Sequence, residues 1–516
     1  MSESSEGQET GGYDSPQQAR SYSPVFPFSS YSEQPDFEES DGWKRRKTEK
    51  PDRISALPDS LILQILSFLR MKEVIRTGVL SKRWRLLWTS AHTLIFRYSG
   101  QSHRGVSNFI TFLDDTLLLC QPNKLNKFSV DFHYNKRFVK HVNKWMIFAK
   151  NKSVEELDLY LRTRGFDELY SLPQLMYSNT CLRELSLCNC NLVPKEGINW
   201  PALRALDIRY AKLNGDVVTM ICSGCPALES LKFSMCRGVG YFDISSRSVK
   251  KLVISGYWQQ EHEDSDDDYD DDDDTQLAIY ARNVTSLEIR GCFHKKILLL
   301  RNVKALVDAK LDFYRKTRDY EDHESDFKTD ENMLKDLLAS LQHVEKLSIG
   351  AWCLQVLTIL EIRNVSFPRM SCKYLTLNTR LMNWELPGLA ILLQTCPQVE
   401  ILNISRESPF EEYHFGWYFT ESLDFTGENY WISRPCWVLH LKTLRIDGTW
   451  IYENSYFEPI FPFLQAVLKN GMVLEKIIIA SFDDGAWISP ECYRRFMEKL
   501  LGLPRSSRDA VILFSG

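Results

Sequence analysis

The 516-residue sequence lacks any long hydrophobic run, although 44% of its residues are hydrophobic. Apolar runs such as residues 297–300 are far shorter than the roughly 20 residues that a membrane-spanning helix needs. The N-terminus also lacks the charged segment followed by an apolar one that is typical of a secretory signal. These absences argue against a membrane protein and predict a soluble, intracellular chain.

Cysteine is sparse, with 13 residues at irregular spacing. This pattern excludes the dense disulfide framework of a small secreted protein and predicts reduced thiols. Cys222 and Cys225 form one C-x-x-C pair, but no second pair follows at zinc-finger spacing, and Cys292 and His294 lie apart from it. We therefore expect buried structural cysteines and no metal site.

Motifs of the common enzyme classes are also missing. The sequence has no nucleophile elbow, Walker loop, zincin helix or kinase signature, and Gly238-Val239-Gly240 alone does not make a dinucleotide-binding loop. We expect no catalytic residue and no cofactor, and hence a chain that is not an enzyme.

Charge is unevenly distributed along the chain, which has a formal net charge of −5 at pH 7. Residues 1–42 hold nine acidic residues and one arginine, and residues 261–274 hold eleven acidic residues without a lysine or arginine. The remainder is therefore net basic. This excess either attracts an acidic partner or only balances the two acidic segments, and the second interpretation is favoured.

The first 50 residues are rich in Ser, Glu, Gln, Pro and Gly, with aromatic residues at no regular spacing. This composition predicts a disordered tail. Near its end lies a basic cluster consisting of Lys44, Arg45, Arg46 and Lys47. Such a cluster is either a nuclear-localisation signal or ordinary solvated charge, which leaves nucleus and cytoplasm both open.

Residues 52–90 contain apolar residues at helical spacing and predict three short helices, with Ser81 as the N-cap of the last one. Aliphatic side chains occupy more than one side of the first helix, because Leu61-Ile62-Leu63 is followed by Ile65-Leu66. A unit of about 40 residues rarely buries that much surface alone. The surplus apolar face therefore predicts a protein partner.

This stretch resembles the plant form of the F-box. The matching segments are Leu57-Pro58-Asp59, Ile65-Leu66-Ser67-Phe68-Leu69 and Val79-Leu80-Ser81-Lys82-Arg83-Trp84, followed by Leu87-Trp88. Gly78 departs from the family pattern, which usually has a small polar or other helix-compatible residue there. Glycine inside a helix is unfavourable unless it ends the helix. The resemblance implies docking onto a Skp-type adaptor and, through it, a cullin. The implied adaptor-binding residues are Leu57, Pro58, Leu61, Ile65, Leu66, Leu69, Val79 and Trp84.

The pattern L-x-x-L-x-L recurs in the units from Val154 to Phe233 at intervals of roughly 21 to 28 residues and returns more loosely farther along the chain, which is typical of leucine-rich repeats. Each unit supplies one short strand and a return segment, so that stacked units form a solenoid with a parallel sheet. The predicted units begin at Val154, Leu182, Leu203, Leu228, Val249, Val284, Val344 and Val399. Before them, we expect strands at residues 94–96 and 128–132 and helices at 106–119 and 139–149.

Two charged segments interrupt the repeats. The acidic block at 261–274 predicts a solvated, disordered insertion of about residues 260–275. It lacks the glycine turn and the spaced terminal glutamate of a calcium-binding loop. Residues 315–331 are expected to form a second charged loop.

The sequence changes character near Cys436 and predicts strand, helix, strand, helix and strand in turn. It resembles the FBD region of plant F-box proteins at Leu441–Ile446, Val467–Asn470, Val473–Lys476 and Leu503–Ser507, and Gly471 departs from that pattern. Such a region could cover the end of the solenoid, because terminal repeats need a covered face.

These observations predict an α/β protein in four parts. A disordered tail (1–50) precedes a three-helix F-box (51–92), a leucine-rich-repeat solenoid (93–435) with parallel strands and helical returns, and a C-terminal α/β FBD cap (436–516). The implied function is that of the substrate-recognition subunit of a Skp-cullin-F-box ubiquitin ligase, whose repeats recruit an unidentified target protein. The alternatives are a binding scaffold that does not support ubiquitin transfer and, with less support, a nucleic-acid binder whose affinity would depend strongly on salt.

Overall fold

The computed structural model describes residues 54, 57–120, 122–163, 168–257, 276–294, 297–316, 323–379, 383–405, 431, 438–447, 460–480 and 490–515. The predicted N-terminal tail with its cluster Lys44–Lys47 and the predicted acidic insertion lie outside the described residues.

The first elements are three short helices, as the sequence predicts. They are α1 (Asp59–Leu66), α2 (Met71–Arg76) and α3 (Trp84–Leu87), with 3₁₀ turns at Thr77–Val79 and Trp88–Ser90. The N-cap of α3 is Arg83 and not Ser81 as predicted, although the Ser81 hydroxyl accepts a hydrogen bond from the Trp84 N–H at 3.4 Å. Gly78 lies in the first 3₁₀ turn, and a Cβ there would be 3.3 Å from the Cα of Arg85. Its lack of a side chain therefore allows this turn to approach α3.

Twenty strands follow in the described part of the chain. They are β1 (Thr93–Arg97), β2 (Lys127–His133), β3 (Glu156–Arg162), β4 (Tyr170–Ser171), β5 (Glu184–Cys188), β6 (Cys190–Asn191), β7 (Ala205–Arg209), β8 (Ser230–Cys236), β9 (Tyr241–Asp243), β10 (Lys251–Tyr257), β11 (Gln276–Tyr280), β12 (Ser286–His294), β13 (Ile297–Arg301), β14 (Asp308–Lys316), β15 (Lys346–Gly350), β16 (Tyr374–Asn378), β17 (Ile401–Ser405), β18 (Thr443–Asp447), β19 (Lys476–Ala480) and β20 (Val511–Ser515). Fifteen of them form one sheet in the order β1-β2-β3-β5-β7-β8-β10-β12-β14-β15-β16-β17-β18-β19-β20, and smaller sheets contain β13-β11-β9 and β4-β6.

Helices connect many of these strands. They are α4 (His103–Leu119), α5 (Val139–Asn151), α6 (Gly215–Gly224), α7 (His323–Ser340), α8 (Ala351–Ile362), α9 (Leu386–Thr395), α10 (Ile460–Asn470) and α11 (Pro490–Leu501). The predicted helices at 106–119 and 139–149 correspond to α4 and α5. The α/β solenoid with helical returns is thereby confirmed.

All pairings in the large sheet are parallel, and the repeat leucines lie in register. Leu157, Leu185, Leu206 and Leu231 align across β3, β5, β7 and β8, and each is at most 2% exposed. Because side chains alternate along a strand, these residues enter the core while their neighbours point to the other side. We call that second side the open face of the sheet.

Two repeat units in the sheet were not predicted. Leu306–Leu311 and Cys372–Leu377 supply β14 and β16, but the pattern is weakened because Ala309 and Cys372 replace leucines. Both replacements are fully buried, and Ala309 pairs in register with Leu347. A small core residue therefore occupies a leucine position without interrupting the sheet.

The C-terminal segment contributes β18, β19 and β20 to the same sheet, in register with β17. Its predicted α/β character is confirmed. Leu441-x-x-Leu444-x-Ile446 and Leu474-x-x-Ile477-x-Ile479 repeat the spacing of the earlier units. The strands beyond residue 436 thus continue the repeat ladder.

The charged segment 315–331 was predicted to be a loop, and this prediction is wrong where the structure describes the segment. Arg315 and Lys316 end β14, and residues 323–331 begin α7; residues 317–322 lie outside the described residues. The helix is stabilised by its second half, where Leu334, Leu337 and Leu338 are buried. These leucines have helical spacing, so the charged residues form the first turns of an amphipathic helix.

Candidate functional site

The first candidate surface lies on the three N-terminal helices. Leu61 and Ile65 are 44% and 45% exposed, and their i, i+4 spacing places them side by side on α1. Pro58 is exposed directly before the helix, where its carbonyl accepts hydrogen bonds from the Leu61 and Ile62 N–H groups, both at 3.1 Å. Three predicted adaptor-binding residues therefore form one apolar strip.

The strip is accompanied by further exposed apolar side chains. Val79, which was predicted, is 89% exposed, and Phe68 is 81% exposed. Leu80 and Leu86 are also exposed. Phe68, Leu80 and Leu86 were missed because spacing alone did not distinguish the outer from the inner side of such short helices. So much exposed apolar surface on a small unit is typical of a protein-binding region.

Two predicted adaptor-binding residues lie elsewhere. Leu66 is 1% and Trp84 4% exposed, so both belong to the core of the chain and support the surface from within. Leu57 and Leu69 are half-buried against that core. The reason is that helical periodicity divides α1 into two sides, with Ile62 and Leu66 inward and Leu61 and Ile65 outward.

Two polar contacts order the N-terminal helices. Arg83 donates a hydrogen bond from Nε to Asp59 Oδ1 at 2.7 Å and also forms an ion pair with it, which links the start of α1 to the segment before α3. The Arg70 N–H donates to Glu73 Oε2 at 3.1 Å and caps α2. These contacts fix how the exposed side chains are presented.

The open face of the sheet is the second candidate surface, and it carries ion pairs between neighbouring strands. Asp207 on β7 pairs with Arg209 at 2.6 Å and with Lys232 on β8 at 3.2 Å. Glu156 on β3 pairs with Lys127 on β2 at 3.1 Å. This part of the face is therefore largely charge-balanced.

A depression of about 430 Å³ lies on the open face between β1 and β7. The short side chains of Ser186 and Ala205 line it together with longer ones, including Tyr160. Asp158, which accepts a hydrogen bond from Ser129 at 3.0 Å, and Glu184 also line it. Neither carboxylate forms an ion pair with another residue that the structure describes. Arg97, Lys127 and Arg209 line it as well, so the depression carries charges of both signs.

A line of polar side chains crosses the open face farther along the chain. Asn378 on β16 donates a hydrogen bond to Asp312 on β14 at 3.1 Å, and Ser405 on β17 donates to Asn378 Oδ1 at 3.0 Å. Asn378 is 2% exposed. Burial raises the pKa of Asp312, while the hydrogen bond from Asn378 opposes that increase. A buried carboxylate whose hydrogen bonds are made within such a row is typical of a residue that stabilises the fold.

The C-x-x-C pair belongs to a buried repeat turn. Cys222 lies near the end of α6, and Cys225 follows the helix. Burial raises the pKa of the Cys222 thiol to about 11 and that of the Cys225 thiol to about 12. Both therefore remain protonated near neutral pH, whereas redox chemistry and zinc binding need the thiolate.

The described residues contain no group of three or more His, Cys, Asp or Glu side chains placed to hold a metal ion. None of their helices combines the length and the apolar character needed to cross a membrane.

Comparisons with known proteins agree with this architecture. Residues 54–96 match the family model of the F-box domain, and residues 142–267 match a model described as FBD-associated F-box protein At5g56370, LRR repeats. Neither match reaches the segment from 436, so its assignment as an FBD region remains a prediction.

Full-length relatives come from Arabidopsis thaliana. F-box/LRR-repeat protein At3g03360 is 27% identical over 486 residues, which cover 90% of this chain and 92% of the relative. Putative F-box/LRR-repeat protein At3g18150 is 28% identical over 479 residues, covering 92% and 94%. The resemblance to plant F-box proteins is thus confirmed: the chain carries an F-box domain followed by leucine-rich repeats of the FBD-associated type.

Proposed function

We propose that the chain is the substrate-recognition subunit of a Skp-cullin-F-box ubiquitin ligase. The single observation that carries the proposal is the exposed apolar surface of the F-box, formed by Pro58, Leu61, Ile65 and Val79 with Leu57 and Leu69 at its margin. Such a surface is stabilised when a partner removes it from water. The proposed partner is a Skp-type adaptor, which connects the chain to a cullin.

The open face of the repeat sheet is the proposed binding surface for the target protein. Repeat solenoids commonly use their long exposed surfaces for recognition. The depression with Asp158 and Glu184 offers both shape and charge for this purpose. The chain itself would contribute no catalytic group, and its role would be to hold the target near the ubiquitin-loaded enzyme.

We further propose that the protein acts in the nucleus or the cytoplasm, with Lys44, Arg45, Arg46 and Lys47 as a nuclear-localisation signal. Four adjacent cations in a segment rich in polar residues support this part of the proposal.

The proposed function is tested by co-purification of the full chain with a purified Skp-type adaptor. The double variant Leu61→Asp/Ile65→Asp places two charges in the centre of the strip and should abolish binding. Leu118→Asp/Leu119→Asp is the matched control, because these leucines are 78% and 58% exposed at the end of α4. It should bind as the native chain does.

Circular dichroism shows whether each variant is folded. Loss of adaptor binding only in the F-box variant supports the proposal, while a well-folded native chain that does not bind the adaptor contradicts it. Adaptor binding without assembly of a cullin complex would instead favour the scaffold function.

A further inference from the structure

On both sides of the depression in the open face, a carboxylate pairs with a cation on the neighbouring strand. Glu156 on β3 is 3.1 Å from Lys127 on β2, and Asp207 on β7 is 3.2 Å from Lys232 on β8. β5 lies between β3 and β7 and contributes no lysine or arginine to the open face. The series of ion pairs is therefore interrupted at the depression.

Two carboxylates at this interruption have a short neighbour where a cation would otherwise lie. Register places Asp158 of β3 beside Ser186 of β5. It places Glu184 of β5 beside Ala205 of β7. On its other side Glu184 lies beside Glu156, and adjacent like charges are unfavourable. Space for a cation from outside the chain is thus left next to both Asp158 and Glu184.

A third carboxylate of the depression lacks a hydrogen-bond donor. Asp131 on β2 forms an ion pair through Oδ2 with Arg162 at 2.7 Å, but its Oδ1 is buried without a hydrogen-bond partner among the described residues. Asp131 is in register with Tyr160, which lies two positions after Asp158 on β3. Asp131, Asp158 and Glu184 therefore form a diagonal across β2, β3 and β5 with steps of roughly 8 Å. We call these three residues the acidic diagonal.

The cations that line the depression do not neutralise the acidic diagonal. Lys127 pairs with a glutamate outside it. Arg209 pairs with Asp207 at 2.6 Å, and its interaction with Asp158 is the weaker one. Arg97 forms no ion pair with a described residue, but it lies on β1, two strands or roughly 10 Å from β3. A bound cation would therefore be attracted to the β3 and β5 side of the depression.

We propose that the acidic diagonal binds an extended segment of the target protein with basic residues at two alternate positions, one opposite Asp158 and one opposite Glu184. Alternate residues of an extended chain face the same side about 7 Å apart, which matches the diagonal step within the reach of long side chains. Arginine suits these positions, because its guanidinium donates several N–H groups to carboxylates and can also supply Asp131 Oδ1. The inference rests on the proposed function, since it specifies what the target presents.

The test is fluorescence anisotropy of the full chain at low salt with labelled Gly/Ser peptides. One peptide has arginine at two alternate positions, and a peptide of the same composition has its arginines separated by four residues. The native chain should bind the first about fivefold more tightly, the size expected from two solvated ion pairs. Asp158→Asn/Glu184→Gln should abolish this preference. Asp158→Lys/Glu184→Lys should instead prefer a peptide with glutamate at the two alternate positions.

Glu196→Gln/Asp216→Asn is the matched control, because it removes the same charge at exposed residues outside the large sheet; it should keep the native preference. Circular dichroism verifies that each variant is folded. A native chain that binds both arginine peptides equally, or neither, overturns the inference. So does a neutral variant that keeps the preference, or a lysine variant that does not prefer glutamate.

Adaptor binding of the same samples separates this inference from the proposed function. A native chain that prefers the alternate-arginine peptide but does not bind the adaptor contradicts the ligase function and leaves the acidic diagonal supported. A native chain that binds the adaptor without this peptide preference overturns only the role of the acidic diagonal.

Discussion

Asn378 donates a hydrogen bond to the Asp312 carboxylate at 3.1 Å although a complete strand, β15, lies between β14 and β16. The residue at the crossing point is Gly350, and a Cβ at that position would be 2.3 Å from Asp312 Oδ1 and 2.9 Å from Asp312 Cα. The hydrogen bond between Asn378 and Asp312 therefore requires a glycine at position 350, although Gly350 itself takes no part in that bond.

Gly350→Ala should destabilise the protein, because the added methyl group displaces Asp312 from Asn378. We expect a loss of about 1–3 kcal/mol in the free energy of unfolding, as for other substitutions that overfill a packed site. Urea denaturation measures it. Gly240→Ala is the control, since a Cβ there meets nothing within 4 Å, and an equal loss in both variants would contradict the explanation.

Asp312→Asn should change how stability depends on pH. Burial raises the pKa of Asp312 above its usual value near 3.8, so the folded chain retains this proton to higher pH than the unfolded chain. This residue's contribution to stability therefore decreases as the pH rises through and above that value. Asparagine can still accept the hydrogen bond from Asn378, but it has no charge to bury.

The stability of Asp312→Asn relative to the native chain should thus increase from acidic to neutral pH. Urea denaturation at a series of pH values tests this. A difference that is independent of pH, or that decreases towards neutral pH, would rule out the buried carboxylate as its cause.

Trp84 tests the role of the F-box core. Its side chain is 4% exposed, and its Nε1–H has no hydrogen-bond partner among the described residues. Trp84→Ala should therefore cost about 3–5 kcal/mol through lost burial. Trp84→Phe retains most of the apolar surface, loses no hydrogen bond and should cost much less. Thermal unfolding of both variants shows whether packing or a polar contact stabilises this residue.

Val79 and Leu86 test the part of the F-box surface that lies beyond α1. Both are highly exposed, so Val79→Asp and Leu86→Asp should change the free energy of unfolding by less than about 0.5 kcal/mol. Each should nevertheless weaken adaptor binding, which calorimetry measures. Val193→Asp is a matched control at a residue 56% exposed between strands. Unchanged affinity in both F-box variants would restrict the binding surface to α1.

Cysteine reactivity tests the protonated state of the C-x-x-C pair. Because burial raises the pKa of both thiols, Cys222 and Cys225 should resist alkylation by iodoacetamide in the folded chain. Cys181 is only half-buried and should react sooner. Mass spectrometry of peptides after timed labelling measures the order, and early modification of Cys225 would contradict burial as the controlling factor.

The sequence predicts the repeat ladder well where all three positions of the pattern L-x-x-L-x-L hold large apolar residues. Leu206 and Ile208, for example, lie inward at consecutive alternate positions of β7, as their spacing requires. β14 was missed because Ala309 is too small to signal a core position, although register with its neighbours places it there. Ala309 is buried because of the strands that pair on either side of it, and the local sequence does not show which strands these are.

The F-box surface was only partly predictable for a related reason. Helical spacing groups Leu61 with Ile65 and Ile62 with Leu66, but it does not say which pair faces the core. The rest of the fold decides this, since Ile62 and Leu66 belong to the same buried cluster as Val74 and Trp84 of the next two helices. The start of α7 shows the converse, because its charged residues suggested a loop while buried leucines later in the helix determined its structure.

The shared register of the fifteen strands has an evolutionary consequence. One residue added or removed inside a strand would exchange its inward and outward side chains, and all neighbouring pairs would be affected. Length changes are tolerated instead in the connections, where doubling a flexible loop costs only about 0.6 kcal/mol. The long acidic segment falls between β10 and β11, while β10 and β12 remain paired. Such a chain can diversify by insertion between strands while its ladder is preserved.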